Sequence, residues 1–267
     1  MRTAYIYTIV QRWAFIAAVV LLLVMNFLAS SIPFGGKTVA EVSATFPTLI
    51  TPAGYAFSIW GLIYLTLLVF AVFQLHKGKN IRFFRLVFPY FLLNVAANVL
   101  WLFAFQHEML GLSVAIMLII LGTLIVIFRY FYRLKGALST THRYFFQVPF
   151  SMYFGWISVA TIVNVAAFLS SLELPVFADS QELFSSIMLI VSAIIGLYIL
   201  ISKKDYIYTL VLVWAYVAIW VQHADVPLVM NTAKFAAIGL IAVMAIQFTT
   251  DRIKIAQYRS TASSKLG

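Results

Sequence analysis

The sequence predicts an all-α integral membrane protein with about eight transmembrane helices, and three observations carry that expectation. Hydrophobic residues make up 64% of the 267-residue chain and charged residues 10%, with a mean hydropathy of +1.01. A soluble domain needs a charged surface that this composition does not supply. The apolar residues fall in runs of about 20, the length that carries a helix across a hydrocarbon core of roughly 30 Å. Runs such as AIMLIILGTLIVIF at 115–128 are continuously apolar, whereas a barrel strand alternates over about 10 residues.

The first span, 12–32, follows Arg2 and Arg12 and ends in FLASSIP, a small-residue stretch resembling a signal-peptide cleavage site. The run is long for a signal peptide, so a retained helix is expected. The second, 54–75, opens on TPAG and carries Phe57, Trp60 and Tyr64 at i, i+3 and i+7, which places them on one face. Trp60 falls about 9 Å beyond Gly54 at 1.5 Å per residue, deeper than a headgroup anchor. The third, 86–106, sets Asn94, Asn98, Trp101 and Phe105 in a second stripe. The fourth, 110–132, is aliphatic and reads as lipid-facing.

The fifth span, 145–170, spaces Trp156, Ala160 and Asn164 at steps of four. The sixth, 183–202, is again mostly aliphatic and lipid-facing. The seventh, 206–222, holds LVWAYVAIWVQHAD, an echo of NVLWLFAFQHE at 98–108. The eighth, 228–250, contains Lys234 seven residues past Pro227. Its stem can snorkel to the interface, and pairing with an anion in a cavity is its competing role.

The net charge of +10 does not indicate nucleic acid, because of where the charges stand. Lys77, Lys79, Arg82 and Arg85 form one basic loop, and Arg129, Arg133, Lys135 and Arg143 another. Lys203 and Lys204 make a third, and Arg252, Lys254, Arg259 and Lys265 fill the tail. The loops between them carry Glu108, then Glu173, Asp179 and Glu182, then Asp225, while Lys37 and Glu41 cancel in the first. Such alternation follows the positive-inside rule and places both termini in the cytoplasm, a bacterial inner membrane being the default. The basic partners are then lipid headgroups.

A buried amide without a partner is costly in hydrocarbon. Asn94, Asn98 and Asn164 therefore bond to neighbouring helices, the common glue of membrane bundles, or edge a cavity. Three converging stripes of aromatics and amides favour the cavity, since indole and phenol rings offer flat apolar walls with polar edges. The histidines, His76, His107, His142 and His223, all fall at span edges, and the chain has no cysteine. Haem held by axial ligands in the bundle would lack its usual donors, whereas a metal-free planar ring needs none. Lys37, after the FGG turn at 34–36, would be solvated or would meet a ligand carboxylate, and that turn would let the loop move as a lid. Ser58 and Ser158 have no base near them in sequence, and nothing points to an enzyme.

TPAGYAFSIWGLIY, LLNVAANVLWLFAFQHEMLGLS and WISVATIVN together resemble the TspO/translocator-protein family, the tryptophan-rich sensory proteins. The matching positions are Trp60 and Tyr64, then Asn98, Trp101 and Phe105, then Trp156, Ala160, Thr161 and Asn164. The resemblance covers roughly residues 10–170. It implies a five-helix bundle over 1–171 that binds porphyrins, sterols or synthetic aromatics between its first, second, third and fifth helices, under the first loop, commonly as a homodimer. No cofactor is required, a porphyrin being the bound molecule the family suggests; some members promote light-dependent porphyrin breakdown. Carried over by position, Trp60, Asn98, Trp156 and Ala160 would line the pocket, with Tyr64, Asn94, Trp101 and Asn164 beside them. The family is normally five helices, so 172–267 would be an addition of three further spans. The competing function is a secondary transporter for a small amphipathic substrate that uses all eight helices, with Lys234 in its path.

Overall fold

The computed structural model describes residues 2–75, 81–173 and 180–264; His76, Lys77, Lys79, Asp179 and Lys265 lie outside them. Among the described residues the chain is helical and contains no strand. Helix α1 covers Arg2–Ser31, a short α2 covers Val39–Thr45, and a 3-10 turn at Gly54–Ser58 leads into α3, Ile59–Phe73. Then come α4 (Ile81–Gln106), α5 (Leu110–Leu134), α6 (Thr140–Ser171), α7 (Gln181–Lys203), α8 (Tyr206–Gln222) and α9 (Pro227–Ser264). Seven of these segments are long and apolar enough to cross a membrane, and α8 is a shorter apolar helix. Each of the eight expected spans is a helix. The protein is a multi-pass membrane protein.

The ends differ where polar residues cap a helix. Helix α6 starts at Thr140, before the expected 145, because the Ser139 hydroxyl accepts from the His142 amide. The helix α2 was not anticipated, although TVAE is a capping-box sequence. The Thr38 side chain accepts from the Glu41 amide, and the Glu41 carboxylate accepts from the Thr38 amide at 2.6 Å.

Helix α1 packs on α3 and α4, α4 on α5, α5 on α6, and α6 returns to α3, closing a ring of five. Aromatic residues fill its interior. Phe15 stacks on Phe91 at 4.0 Å, and Phe70 meets Phe15, Phe146 and Phe150 edge-on at 5.4–5.5 Å. The helices α7, α8 and α9 pack on one another, and α8 lies against α6. The FLASSIP region is built into this frame, with Ala29 buried and its carbonyl accepting from Gln106 Nε2 at 2.7 Å.

One expectation is corrected. Helix α5 is not simply lipid-facing, since Ser113, Met117, Ile120, Leu124 and Ile127 form a buried stripe inside the ring. In a bilayer, apolarity marks lipid and core alike. The FGG turn, where a movable lid is expected, is seated on α4. The Phe34 amide donates to Gln106 Oε1 at 3.0 Å, and Phe34 stacks on Phe103 at 4.2 Å. A Cβ on Gly35 would lie 2.0 Å from the Gln106 carbonyl oxygen, and Gly36 holds φ +79°. Glycine is needed at both positions, for space at one and for the left-handed backbone at the other.

Candidate functional site

The lead-in to α3 explains its unusual sequence. Pro52 and Gly54 keep residues 51–58 out of regular α-helix, so their backbone groups need partners elsewhere. Helix α8 provides them. The Ala53 amide donates to the Ala218 carbonyl at 3.2 Å, and Trp214 Nε1 donates to the Ala56 carbonyl at 3.1 Å. His223 Nε2 lies 3.0 Å from the Thr51 carbonyl, so the ring carries its proton on that nitrogen. Burial holds the His223 pKa below the ordinary histidine range, against the Thr51 carbonyl and Asp225, which favour the charged form. The lead-in thus delivers Phe57 and Trp60 to the ring interior.

Two adjoining hollows meet at these residues. The inner, of about 60 Å³, is lined by Phe57, Trp60, Asn98, Trp101, Met117, Trp156, Ala160 and Asn164, under Val39 and Ser43 of α2. The outer, of about 620 Å³, lies between α1, α3 and α4 and is lined by Asn26, Phe27, Ser30, Thr38, Phe57, Trp60, Tyr64 and Trp101. Trp60 stacks on Tyr64 at 5.3 Å and meets Trp156 edge-on at 6.3 Å. Phe57 meets Trp156 at 5.8 Å, with the rings at 85°. Of the eight residues singled out in the sequence, six surround the inner hollow and Tyr64 joins the outer one. Asn94 lines neither. It faces α5, where its Nδ2 donates to Thr123 Oγ1 at 2.8 Å and to the Ile120 carbonyl at 3.2 Å.

The amides around the inner hollow are paired. Asn98 accepts from Asn26 Nδ2 at 3.1 Å and donates to the Tyr153 hydroxyl at 3.2 Å. Asn164 accepts from Trp101 Nε1 at 2.9 Å and donates to Ser113 Oγ at 2.9 Å. The groups left over are different ones. Trp156 Nε1 and the Tyr64 hydroxyl are both buried and have no hydrogen-bond partner. Lys37 does not reach either hollow; its Nζ pairs with Glu108 at 2.6 Å, at the outside of the lid. Lys234 lies within α9 with its ammonium 5.3 Å from the centre of the Trp220 ring.

Sequence reading passed over several residues that build this region. Asn26, Tyr153 and Gln106 complete the polar contacts, and Asn26 and Gln106 carried a readable signal as lone amides in apolar runs. Asp205 was hidden behind Lys203 and Lys204, yet it is fully buried. Its carboxylate accepts from Tyr132 Oη at 2.9 Å, from the Ser151 hydroxyl, and from the Tyr208 amide at 3.1 Å as the cap of α8. The echo between the third and seventh spans does not extend to environment. Gln106 is buried and Gln222 exposed, while His107 is exposed and His223 half-buried.

A family model described as TSPO-like protein matches residues 9–246. No curated protein and no solved structure matches the chain. The match runs beyond residue 171, through α7 and α8 and into α9. With aromatic and amide stripes meeting inside a closed ring of helices, and a match along most of its length, the chain belongs to the TSPO-like protein family.

Proposed function

We propose that the protein is a membrane receptor or translocator that binds a hydrophobic aromatic ligand of the porphyrin or tetrapyrrole class, for sensing or transport, at the hollows around Trp60. One observation carries this reading. The Trp156 indole N–H and the Tyr64 hydroxyl are buried and unpaired, each on the wall of a hollow, although Asn98, Asn164 and the Trp101 indole beside them are bonded. A buried donor left unpaired costs about 1–3 kcal/mol. A planar ligand with acceptor atoms at its rim would recover that cost while its faces lie against Trp60 and Phe57.

Size assigns the parts. Small-molecule sites occupy roughly 300–1,000 Å³, which the outer hollow of about 620 Å³ satisfies and the inner one of about 60 Å³ does not. The body of the ligand therefore sits between α1 and α3, with one edge directed past Trp60 toward Trp156. Protoporphyrin IX, a metal-free ring that needs no axial ligand, is the probe. Titrated into purified protein, it quenches tryptophan fluorescence saturably, and Trp60→Phe combined with Asn98→Ala removes the effect. Quenching that survives in the double variant would overturn this site.

A further inference from the structure

We infer that α8 controls the separation of Phe57 and Trp156, so that the C-terminal helices both set ligand affinity and register occupancy; the inference rests on the ligand-binding reading above. The inner hollow is narrow, about 60 Å³, with Phe57 and Trp60 edge-on to Trp156 at 5.8 and 6.3 Å. A ligand edge that reaches the Trp156 N–H has to part these rings. Phe57 rides on the lead-in, Trp60 on the first turn of α3 directly after it, and Trp156 on α6.

Helix α8 grips both. It holds the lead-in through the bonds at Ala53, Ala56 and Thr51 and through Trp214, whose ring meets Tyr55 edge-on at 5.3 Å. It meets α6 at Gly155, the residue next to Trp156. A Cβ there would lie 3.0 Å from Val211 Cβ and 3.1 Å from the Tyr208 carbonyl oxygen. That is the close helix approach small residues permit. The Tyr208 hydroxyl also donates to Ser158 Oγ at 3.1 Å. At the other end of α8, Asp205 fixes the helix to Tyr132 of α5 and Ser151 of α6.

One helix therefore spans the two parts whose spacing sets the width of the hollow, and neither Trp214 nor His223 lines it. Moving the lead-in away from α6 has to stretch or carry the bonds to α8. Linkage is reciprocal: if ligand displaces α8, whatever displaces α8 changes ligand affinity by the same factor.

The test uses the full-length protein with protoporphyrin IX, followed by the porphyrin's own absorbance, together with amide hydrogen exchange. In the wild type, the ligand should change exchange in 206–222 as well as in 51–58. His223→Leu combined with Trp214→Phe should weaken binding about fivefold or more, the lower end of ordinary coupling between sites. His223→Gln, which keeps a donor for the Thr51 carbonyl, should stay within about twofold of the wild type, a result that general damage to the fold would not produce. Binding that leaves α8 exchange unchanged overturns the inference, as does equal weakening by His223→Gln and by the double variant. Absence of binding to the wild type overturns the ligand reading itself and the inference with it.

Discussion

Trp101 of α4 donates its indole N–H to Oδ1 of Asn164 on α6 at 2.9 Å, and Asn164 in turn donates to Ser113 Oγ of α5. Three helices are thereby tied at the floor of the inner hollow. Trp101→Phe leaves the Asn164 oxygen buried without that donor, and should cost about 1 kcal/mol, allowing for the modest net worth of such bonds in membranes. The measurement is the midpoint of reversible unfolding in mixed micelles.

Trp156→Phe should behave in the opposite way. It makes a similar change in size but breaks no hydrogen bond, because the Trp156 N–H has no partner. The stability loss should therefore be smaller than in Trp101→Phe. Protoporphyrin affinity should fall about fivefold to tenfold, the value of roughly one hydrogen bond. A larger stability loss at 156 than at 101, with unchanged affinity, would contradict the assignment of this N–H to a ligand.

How much of this was legible beforehand follows from what a membrane makes visible. Uniform apolar runs mark spans, so the eight helices were readable. The same uniformity conceals which face is core, so α5 was misread. Polar atoms stand out in such a background, which is why Asn98 and Asn164 are legible, and Asn26 and Gln106 carry the same signal. Which of their atoms stay unpaired depends on neighbours far along the chain, as Asn98 is paired by Asn26, 72 residues away. The free Trp156 N–H was therefore not readable. Asp205 failed for another reason. Beside two lysines at a span edge, a carboxylate reads as solvated loop, and only the meeting of Tyr132 and Ser151 reveals that it is enclosed.

Asp205 should be the most sensitive acidic position. Its two oxygens take three donors in a fully buried site. Asp205→Ala removes the α8 cap and strands two hydroxyls. With hydrogen bonds to a charged group worth about 1.5–3 kcal/mol each, a net loss of about 3 kcal/mol is expected. Asp205→Asn, which still accepts through one oxygen, should lose about half as much. Equal stability of all three proteins in micelle unfolding would show that the cluster contributes nothing.

Gly155 and Gly122 form a matched pair for α-helix packing. A Cβ at 155 meets Val211 and the Tyr208 backbone of α8, whereas one at 122 meets nothing within 4 Å. Gly155→Ala should therefore force α6 and α8 apart and cost about 1–3 kcal/mol, the range for overpacking. Gly122→Ala should be neutral, or stabilising by up to about 1 kcal/mol through helix propensity. If the two substitutions shift unfolding alike, the tight α6–α8 approach is refuted.

The lid helix α2 should unwind in acid. The Thr38 backbone amide, and after it the Thr38 hydroxyl, holds the Glu41 carboxyl below its ordinary pKa range, with a smaller contribution from Lys37. The folded form therefore binds a proton less readily than the unfolded form. By linkage, the capping box contributes its stabilisation above the ordinary carboxylate range and loses it as pH falls through the depressed folded value. Amide exchange at Glu41 and Val42, corrected for the intrinsic pH dependence, should rise over that acidic window and stay flat through neutrality. Glu41→Gln, which can still accept from Thr38 but does not titrate, should abolish the rise. A transition centred near neutral pH, or one that persists in Glu41→Gln, would assign control of the lid to a group other than Glu41.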